Sequence, residues 1–313
     1  SKSILSNLRL ILSLIKIYKK YQPNIIHQIT LKFYLFGTLS TFFFNNKIKI
    51  VNAVTGLGYL FTKDRISLTK MVIYPLFRLI VKKKYAHFIF QNQVDLKLFK
   101  KMGLQENHIL IKGSGVDHKD YSFTPEPESK KITILFTGRI LKDKGVLDLI
   151  QAVKRLNPEI KKQIVLELYG KIDPENPAHI NEELLKSQLI KGLIEWKGFS
   201  KEIKTAITES HIYCLPSSRE GLPKSTSEAM AIGRPVLTTN AAGCDDTVIE
   251  EYNGFKVQAG DVEMLSEKLG LLIHDKQLRI KMGKNSRKLF EKEFTLDKVV
   301  NQTFELYDKL LKT

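Results

Sequence analysis

The chain has 313 residues, of which 43% are hydrophobic and 27% are charged. This balance excludes a disordered chain, and the length suits two α/β domains better than a single core. The two cysteines, Cys214 and Cys244, exclude a disulfide framework and lack metal-ligand spacing, and no apolar run is long enough to span a bilayer.

The elements of the first half alternate between helix and strand. Leucine and isoleucine recur at helical spacing from the start, and Gln22-Pro23 ends that helix. The expected elements are helix Ser3–Tyr21, strand Asn24–Thr30, helix Lys32–Phe44, strand Ile48–Val54, helix Ser67–Lys84, strand His87–Gln91, helix Val94–Met102 and strand Ile109–Ile111. This alternation is typical of a parallel sheet.

A segment rich in Pro, Ser and charge, Asp120–Lys131, follows and predicts a linker. The alternation then restarts. The expected elements are strand Ile132–Thr137, helix Val146–Leu156, strands Gln163–Tyr169, Leu193–Lys197, Ile212–Leu215 and Pro235–Thr239, and helices Val262–His274, Gln277–Glu293 and Leu296–Leu311. Two successive doubly wound units predict a ligand cleft between domains.

The net charge of +17 is unevenly distributed. Residues 1–130 contain 21 Lys and Arg against 7 Asp and Glu, whereas residues 131–313 contain 29 against 26. A basic first half suits an anionic partner, such as a membrane surface, a lipid phosphate or a nucleic acid. A lysine-rich codon bias is the alternative for the overall excess, but it explains the asymmetry poorly.

The segment Leu135–Gly145, LFTGRILKDKG, runs from a buried strand through Gly138 into a helix expected to begin at about Lys144. A diphosphate binds in this strand–turn–helix context, where backbone N–H groups face it. Arg139 and Lys144 add a planar fork and a point charge for phosphate oxygens. A surface turn with two solvated bases is the alternative.

A second segment, Leu215–Val236, reads LPSSREGLPKSTSEAMAIGRPV. Glu220 lies in a loop after a strand, and Glu228 lies on a helix expected to begin near Pro223. Their carboxylates can accept hydrogen bonds from sugar hydroxyls, while the backbone N–H groups of Gly221 to Lys224 can bind phosphate. Two surface glutamates around a helix cap are the alternative.

Together the two segments resemble glycosyltransferase family 4, whose mark is the pattern EG-[FL]-P-x-[ST]-x-x-EAMA-x-G-x-PV preceded by a GR-x4-KG turn. The chain is also similar to the subgroup that elongates polyprenyl-diphosphate-linked sugars for O-antigen, capsule or glycoprotein glycans. The pieces that match the subgroup are VTGLGYLF (54–61), FQNQVD (90–95), KGSGVD (112–117), YGKIDPENP (169–177) and AAGCDDTV (241–248).

The resemblance implies a GT-B fold of two Rossmann-like domains facing a cleft, with the first one incomplete. We expect residues 1–125 to form the acceptor-side domain and residues 126–293 to form the nucleotide-sugar domain. Residues 294–313 are expected to form a helix that returns to the first domain. Because family members begin with a strand and a glycine-containing loop, the start of the acceptor half is expected to be missing.

The resemblance also implies roles for individual residues. Arg139 and Lys144 should hold the donor diphosphate and stabilise the leaving group, Glu220 should bind the transferred sugar, and Glu228 should bind the ribose. Gly170, Gly198 and Phe199 should bracket the base. The complete set of expected donor-binding residues is Gly138, Arg139, Lys144, Gly170, Gly198, Phe199, Glu220, Gly221, Leu222, Pro223, Ser225 and Glu228, with Glu220, Arg139 and Lys144 catalytic.

The implied reaction is retaining transfer of a hexose or N-acetylhexosamine from a UDP-sugar to a polyprenyl-diphosphate-linked saccharide or similar glycan. The glutamates are therefore not expected to act as a glycosidase acid/base pair. No DxD motif is present, and Asp245-Asp246 is better explained as a helix cap, so we expect no cofactor and no metal. Thr55, Gly56 and Gly58 are acceptor-side candidates: the resemblance places Thr55 where several relatives have a histidine, and the two glycines permit close backbone approach. A plain turn is the alternative.

The helix at Ser67–Lys84 has an apolar face followed by Lys82-Lys83-Lys84, which favours docking on the inner leaflet of the cytoplasmic membrane. We therefore expect a cytoplasmic, peripherally attached enzyme; an ordinary packed helix is the competing interpretation. Three other functions remain: a truncated, non-catalytic sugar-nucleotide-binding remnant, a GT-B epimerase, and a nucleic-acid binder. Nucleic acid is not expected as a partner because no nucleic-acid motif is present.

Overall fold

The computed structural model describes residues 4–44, 48–56 and 68–312. Gly58, one of the acceptor-side candidates, lies outside the described residues. The chain divides into two compact units. Unit 1 contains Ser1–Gly113 and Val299–Thr313, and unit 2 contains Ser114–Lys298.

Unit 1 is built on a parallel sheet. Its helices are α1 (Ile4–Tyr21), α2 (Leu31–Ser40), α3 (Leu68–Val81) and α4 (Gln93–Lys101), and its strands are β1 (Ile25–Ile29), β2 (Lys49–Val54), β3 (Ala86–Phe90) and β4 (His108–Leu110). The strands pair in the order β1-β2-β3-β4, each parallel to its neighbour. Each strand lies within about two residues of its predicted range, because short apolar runs bounded by Pro, Asn and Lys mark them clearly.

The apolar face of α3 packs inside unit 1. Phe77, Ile80 and Val81 are fully buried, in a cluster with Phe88, Phe90 and Phe99. Helical periodicity does not distinguish a face that meets lipid from a face that meets a sheet. The apolar face of this helix was predicted to dock on a membrane, and that prediction is wrong for Phe77, Ile80 and Val81.

Unit 2 contains the second parallel sheet. Its strands are β5 (Ile132–Thr137), β6 (Ile164–Tyr169), β7 (Ile194–Gly198), β8 (Ile212–Leu215), β9 (Val236–Thr239) and β10 (Gly254–Val257), and its helices are α5 (Val146–Arg155), α6 (Pro158–Lys162), α7 (Glu182–Gln188), α8 (Ile203–Thr208), α9 (Lys224–Ile232), α10 (Val262–His274) and α11 (Lys276–Glu293). The last helix, α12 (Leu296–Leu311), begins in unit 2 and belongs to unit 1 from Val299 onward. The short elements α6, α7, α8 and β10 were not predicted, because an element of one or two turns, or of four residues, shows little hydrophobic periodicity.

The strands of unit 2 pair in the order β10-β9-β8-β5-β6-β7, all parallel. The chain therefore winds outward from β5 to β7, returns to β8 beside β5, and winds outward again to β10. The order reverses between β5 and β8. Ligands of doubly wound sheets bind beside such a switch point, at the carboxyl ends of the strands. The two sequence motifs follow β5 and β8.

The turn after β5 differs from its prediction. Lys144 does not begin an α-helix but closes a 3-10 turn, Lys142–Lys144, and α5 begins at Val146. Between them, Gly145 adopts a left-handed conformation with φ 70°. A Cβ atom on Gly145 would collide with the carbonyl oxygen of Pro216, so the turn requires glycine for two reasons.

Residues 121–126, which we call the strap, lie along unit 2 instead of forming a free linker. The backbone N–H of Thr124 donates to the carbonyl of Ile232 at 3.0 Å. Arg287 Nη1 donates to the carbonyl of Tyr121 at 2.7 Å. A Cβ atom on Gly233 would meet the ring of Phe123 at 2.5 Å, so the strap packs closely on the end of α9.

Two buried arginines hold the strap. Arg234 is 1% exposed, and its Nη1 and Nη2 each donate to the carbonyl of Pro125 at 3.2 Å. Arg279 is 4% exposed and forms two hydrogen bonds of 2.8 Å with the carboxylate of Glu126. The arginines lie far from the strap in the sequence, so its composition alone predicts a flexible linker. In the structure the strap is held in place.

Candidate functional site

Backbone contacts join the two motif loops of unit 2. The Ser217 hydroxyl donates to the carbonyl of Asp143 at 3.0 Å, and the backbone N–H of Ser218 donates to the same oxygen at 2.9 Å. Because Gly145 also lies against Pro216, the turn after β5 is fixed to the loop after β8. The switch point of the sheet is therefore lined by a preorganised pair of loops.

The loop that contains Glu220 is held by a third loop, Ala241–Val248. The backbone N–H of Glu220 donates to the carbonyl of Ala242 at 2.8 Å. Gly243, with φ 78°, brings its backbone against Glu220 and Gly221 so closely that no Cβ fits. Helix α9 begins directly afterwards, with Pro223 as its N-cap and no side chain capping it. This leaves the positive end of the α9 dipole at the switch point.

A cavity of about 850 Å³ opens beside this point. It is lined by Thr137, Gly138, Arg139, Tyr169, Gly170, Lys171, Ile172, Asp173, Pro174, Glu175, Phe199, Ser200, Ile203, Ser225 and Glu228. Six of these were expected at a donor site from the sequence: Gly138, Arg139, Gly170, Phe199, Ser225 and Glu228. Its size is in the range of sites for small ligands.

The floor of the cavity is held by a buried hydroxyl network. The Tyr213 hydroxyl donates to the Ser225 hydroxyl at 2.7 Å and lies 3.0 Å from that of Thr137. Burial raises the pKa of Tyr213, as do the charges of Glu228 and Glu220. The network ties the start of α9 to the end of β5, which fixes the position of Ser225.

Aromatic residues lie on the β6–β7 side of the cavity. Trp196 Nε1 donates to the carbonyl of Gly170 at 2.9 Å, which fixes the turn after β6. Phe199 is 60% exposed, and the ammonium of Lys171 lies 4.4 Å from the centre of its ring. A flat, exposed ring beside a cation suits a planar, polar ligand such as a nucleobase.

Both predicted phosphate-binding cations are paired with carboxylates. Arg139 Nη1 lies 2.8 Å from Asp173 Oδ2, and this pair is partly exposed, at 56% and 31% of the two side chains. Lys144 pairs with Glu220, and these side chains are only 19% and 12% exposed. Lys144 and Glu220 do not line the cavity. The structure therefore brings together two residues that the sequence assigned separately, to phosphate and to sugar.

Glu228 lines the cavity from the second turn of α9. Its side chain is 12% exposed, and Lys224 Nζ lies 3.5 Å from its carboxylate. Burial raises the pKa of Glu228, although Lys224 and a hydrogen bond from Tyr121 oppose the rise. A carboxylate with so little solvation can accept hydrogen bonds from ligand hydroxyls in place of water.

The other predicted residues take three positions. Gly198 ends β7, and Gly221, Leu222 and Pro223 form the loop before α9; none of these lines the cavity. Thr55 and Gly56 follow β2 in unit 1, where the N–H of Thr55 lies 3.4 Å from the Tyr34 hydroxyl. Lys171, Asp173 and Glu175 also line the cavity and were not among the predicted site residues, although they fall within the segment YGKIDPENP that carries part of the resemblance.

The described residues contain no group of three or more His, Cys, Asp and Glu able to hold a metal ion. Asp245 and Asp246 begin a 3-10 helix, Asp245–Thr247, as expected for a helix start. Its N-cap is Cys244, and Asp245 accepts a hydrogen bond from Lys256 Nζ at 2.7 Å, so the predicted capping role is wrong for Asp245. Among the helices of the described ranges, none is both long and apolar enough to cross a membrane.

Comparisons with known proteins find matches in both units of the chain. The family model described as "Glycosyl transferases group 1" matches residues 117–289, and that described as "Glycosyl transferase 4-like" matches residues 1–92. A crystal structure of Anabaena HepE in complex with UDP superimposes with a TM-score of 0.80 at 18% identity, covering 96% of this chain and 82% of that one. The fold class predicted from the sequence, two Rossmann-like units of the GT-B type, is confirmed.

Two curated relatives extend over most of the chain. The N,N'-diacetylbacillosaminyl-diphospho-undecaprenol alpha-1,3-N-acetylgalactosaminyltransferase of Campylobacter jejuni is 29% identical, over 83% of this chain and 70% of its own length. The capsular polysaccharide biosynthesis glycosyltransferase CapM of Staphylococcus aureus is 28% identical, over 99% of this chain and 83% of its own length. The similarity thus includes both units.

Proposed function

Because this chain belongs to the glycosyl transferases of group 1, we propose that it transfers a hexose or N-acetylhexosamine from a UDP-sugar to a polyprenyl-diphosphate-linked saccharide. The observation that carries the proposal is the cavity at the switch point of unit 2. Gly138, Arg139, Phe199 and Glu228 line it, and they supply a backbone approach, a cation, a flat ring and a carboxylate. These groups match the phosphates, base and ribose of a UDP-sugar.

Each side chain has a distinct task in this proposal. Arg139 and Lys144 bind the diphosphate and stabilise its charge as it leaves the sugar. Glu228 accepts hydrogen bonds from the ribose hydroxyls, and Glu220 accepts them from the transferred sugar. Phe199 and the turn at Gly170 flank the uracil. The pairing of Lys144 with Glu220 supports a shared location for the leaving phosphate and the sugar.

We propose that transfer retains the anomeric configuration and needs no metal. The bond between the anomeric carbon and the phosphate oxygen breaks, UDP leaves, and the acceptor hydroxyl forms the new bond on the same face. Its proton passes to an oxygen of the departing phosphate. The cations and the α9 dipole then supply the charge stabilisation that a divalent ion would otherwise give.

The acceptor class rests on the relatives and on charge. The name of the similar enzyme from Campylobacter jejuni includes a diphospho-undecaprenol acceptor. We propose that residues 1–130, with their excess of Lys and Arg, hold the enzyme on the anionic inner leaflet where such acceptors lie. In α1, Leu5, Leu8 and Leu12 are exposed at helical spacing, which supports this attachment. The acceptor itself is proposed to approach Thr55 and Gly56.

Binding and transfer are tested in sequence. The purified chain is titrated with UDP, ADP and GDP in EDTA, and its thermal stability is followed; we expect UDP alone to raise it appreciably. UDP-N-acetylgalactosamine, UDP-N-acetylglucosamine and UDP-galactose are then offered with a polyprenyl-diphosphate-linked saccharide. NMR of the lengthened product reports the anomeric configuration.

The outcomes separate the parts of the proposal. No shift with any nucleotide contradicts the donor site. A UDP shift with no transfer to any lipid-linked acceptor favours the sugar-nucleotide-binding remnant. An inverted product contradicts retention alone, and a requirement for Mg²⁺ or Mn²⁺ contradicts metal independence alone. Membrane attachment is tested by flotation, where the chain should follow anionic vesicles and not neutral ones.

A further inference from the structure

We propose that Asp173 is an exchangeable counterion, which holds the guanidinium of Arg139 in the empty site and gives it up to the donor diphosphate. Asp173 is thus a positioning residue that limits the affinity for UDP and speeds its release. The inference rests on the proposed function, because it assumes that Arg139 binds the diphosphate of a UDP-sugar.

The geometry places the two residues on neighbouring strand ends. Arg139 follows β5 and Asp173 follows β6, which pairs with β5 along its whole length. Both side chains line the same cavity, and one hydrogen bond of 2.8 Å joins Arg139 Nη1 to Asp173 Oδ2. A ligand that reaches Arg139 therefore also meets the carboxylate of Asp173.

The ion pair between Arg139 and Asp173 can separate at little energetic cost. It is partly exposed, at 56% and 31% of the two side chains, so water solvates both charges and the pair contributes little net stability. The pair uses a single N–H of the guanidinium, and Arg139 makes no other hydrogen bond within the described ranges. A diphosphate with several charged oxygens can bind the fork by two parallel bonds and is the stronger partner.

The second cation of the site behaves differently. Lys144 and Glu220 are 19% and 12% exposed, and the loop of Glu220 is fixed by Ala242 and Gly243. Separating that pair without a replacement would leave two poorly solvated charges. Asp173, in contrast, lies on a loop at the cavity rim, so it is the carboxylate that can withdraw without such a cost.

A like charge beside the diphosphate has a predictable effect. While UDP is bound, the carboxylate of Asp173 remains on the cavity wall and repels the phosphates. When UDP begins to leave, Asp173 competes for Arg139 and prevents immediate rebinding. An enzyme that must release UDP after every transfer gains turnover from such a competitor, at the expense of affinity.

The test compares Asp173→Asn with Glu175→Gln. The first substitution keeps a side-chain acceptor for Arg139 but removes the charge, and it preserves the turn because the N–H of Asn176 bonds to the backbone carbonyl at position 173. Glu175 supplies a matched control, because it is an acidic residue that lines the same cavity from the same loop. No ion pair between Glu175 and Arg139 is found in the described residues. UDP and uridine are the probes, by calorimetry and stopped-flow dissociation.

We expect Asp173→Asn to bind UDP about two- to fivefold more tightly, with slower dissociation and a steeper loss of affinity with salt. Uridine, which has no phosphate, should bind both proteins equally. Equal gains in Asp173→Asn and Glu175→Gln would reduce the effect to a general charge field and overturn the inference. Unchanged or weaker UDP binding in Asp173→Asn also overturns the inference. The proposed function is untouched by that result as long as the wild type binds UDP. A wild-type protein that binds neither UDP nor uridine overturns the proposed function, and the inference falls with it.

Discussion

The two ends of the strands in unit 2, amino and carboxyl, each carry an arginine, and the two arginines have different roles. At the amino end of β9, Arg234 is almost completely buried and donates to the backbone carbonyls of Ile207 and Pro125. At the carboxyl end of β5, Arg139 is largely exposed and is held by one carboxylate. Solvent exposure, rather than residue type, separates the cation that fixes the fold from the cation that is available to a ligand.

The carboxylate partners follow the same division. Glu126, on the strap, is 7% exposed and takes two hydrogen bonds from Arg279, whereas Asp173 is 31% exposed and takes one from Arg139. A buried bidentate pair cannot be separated without leaving a charge in a medium that solvates it poorly. A partly exposed single bond can be exchanged. We therefore expect substitutions in the buried pairs near the amino ends of the strands to change the free energy of unfolding. Substitutions at the carboxyl ends are expected to change the affinity for UDP.

The largest effect is expected for Arg279→Met, which leaves the Glu126 carboxylate buried and unpaired. Breaking such a pair lowers the free energy of unfolding by about 3–5 kcal/mol, which urea denaturation measures. Lys162→Met is the control, since Lys162 pairs with Glu159 in full solvent, at 70% and 75% exposure, and its loss should cost less than about 1 kcal/mol. Equal losses in the two variants would remove the distinction between buried and exposed ion pairs.

The next largest effect is expected for Arg139→Ala, which removes a charge-assisted bond to the donor phosphates. UDP affinity should fall by about one to two orders of magnitude, equivalent to about 1.5–3 kcal/mol, while the free energy of unfolding changes little. Lys142→Ala is the control, because this exposed lysine precedes Lys144 in the same turn. Calorimetry with UDP that finds similar losses in both variants would reduce Arg139 to a general contributor of charge.

Glu228→Gln is expected to raise stability and lower UDP affinity together. Burial raises the pKa of Glu228 in the folded state, so its ionisation opposes folding as pH rises through that pKa. The variant should therefore melt at a higher temperature than wild type at neutral pH, and the difference should vanish at acid pH, where Glu228 is protonated. A difference that grows toward acid pH would contradict this account of the carboxylate.

The smallest effect is expected from salt. Raising the NaCl concentration screens exposed charges within a Debye length, so the affinity for UDP should weaken while the urea midpoint stays nearly constant. Buried Arg234 and Arg279 are protected from that screening. If the urea midpoint falls in step with UDP affinity, the strap does not depend on buried charge as described.

Local sequence patterns predicted most of the fold. Strand β5 and helices α10 and α12 have their predicted bounds, because a buried apolar run or a long amphipathic period leaves little choice. The local pattern predicts a helix start at about Lys144, where the structure has a 3-10 turn, because the left-handed conformation of Gly145 depends on the approach of Pro216. The composition of the strap predicts a linker, because its arginine partners lie just after α9 and on α11, more than a hundred positions away.

The site was predictable only in part. Motif residues at the ends of β5 and β8 could be named because parallel strands bring their carboxyl ends together. The pairing of Arg139 with Asp173, 34 positions apart, and of Lys144 with Glu220, 76 positions apart, depends on tertiary contacts that no local pattern contains. Thus the sequence indicated which cations could bind phosphate, but not that carboxylates already hold them.

The central claim is that unit 2 binds UDP at its switch point without a metal, with Arg139 in the wall of the cavity and Lys144 in the turn after β5 holding the diphosphate. Calorimetric titration of the wild-type chain and of an Arg139→Ala, Lys144→Ala double variant with UDP in EDTA tests it most directly. The account predicts one UDP bound per wild-type chain and no measurable binding by a folded double variant. UDP binding that is absent from the wild type, needs a divalent cation, or survives the double substitution would contradict it.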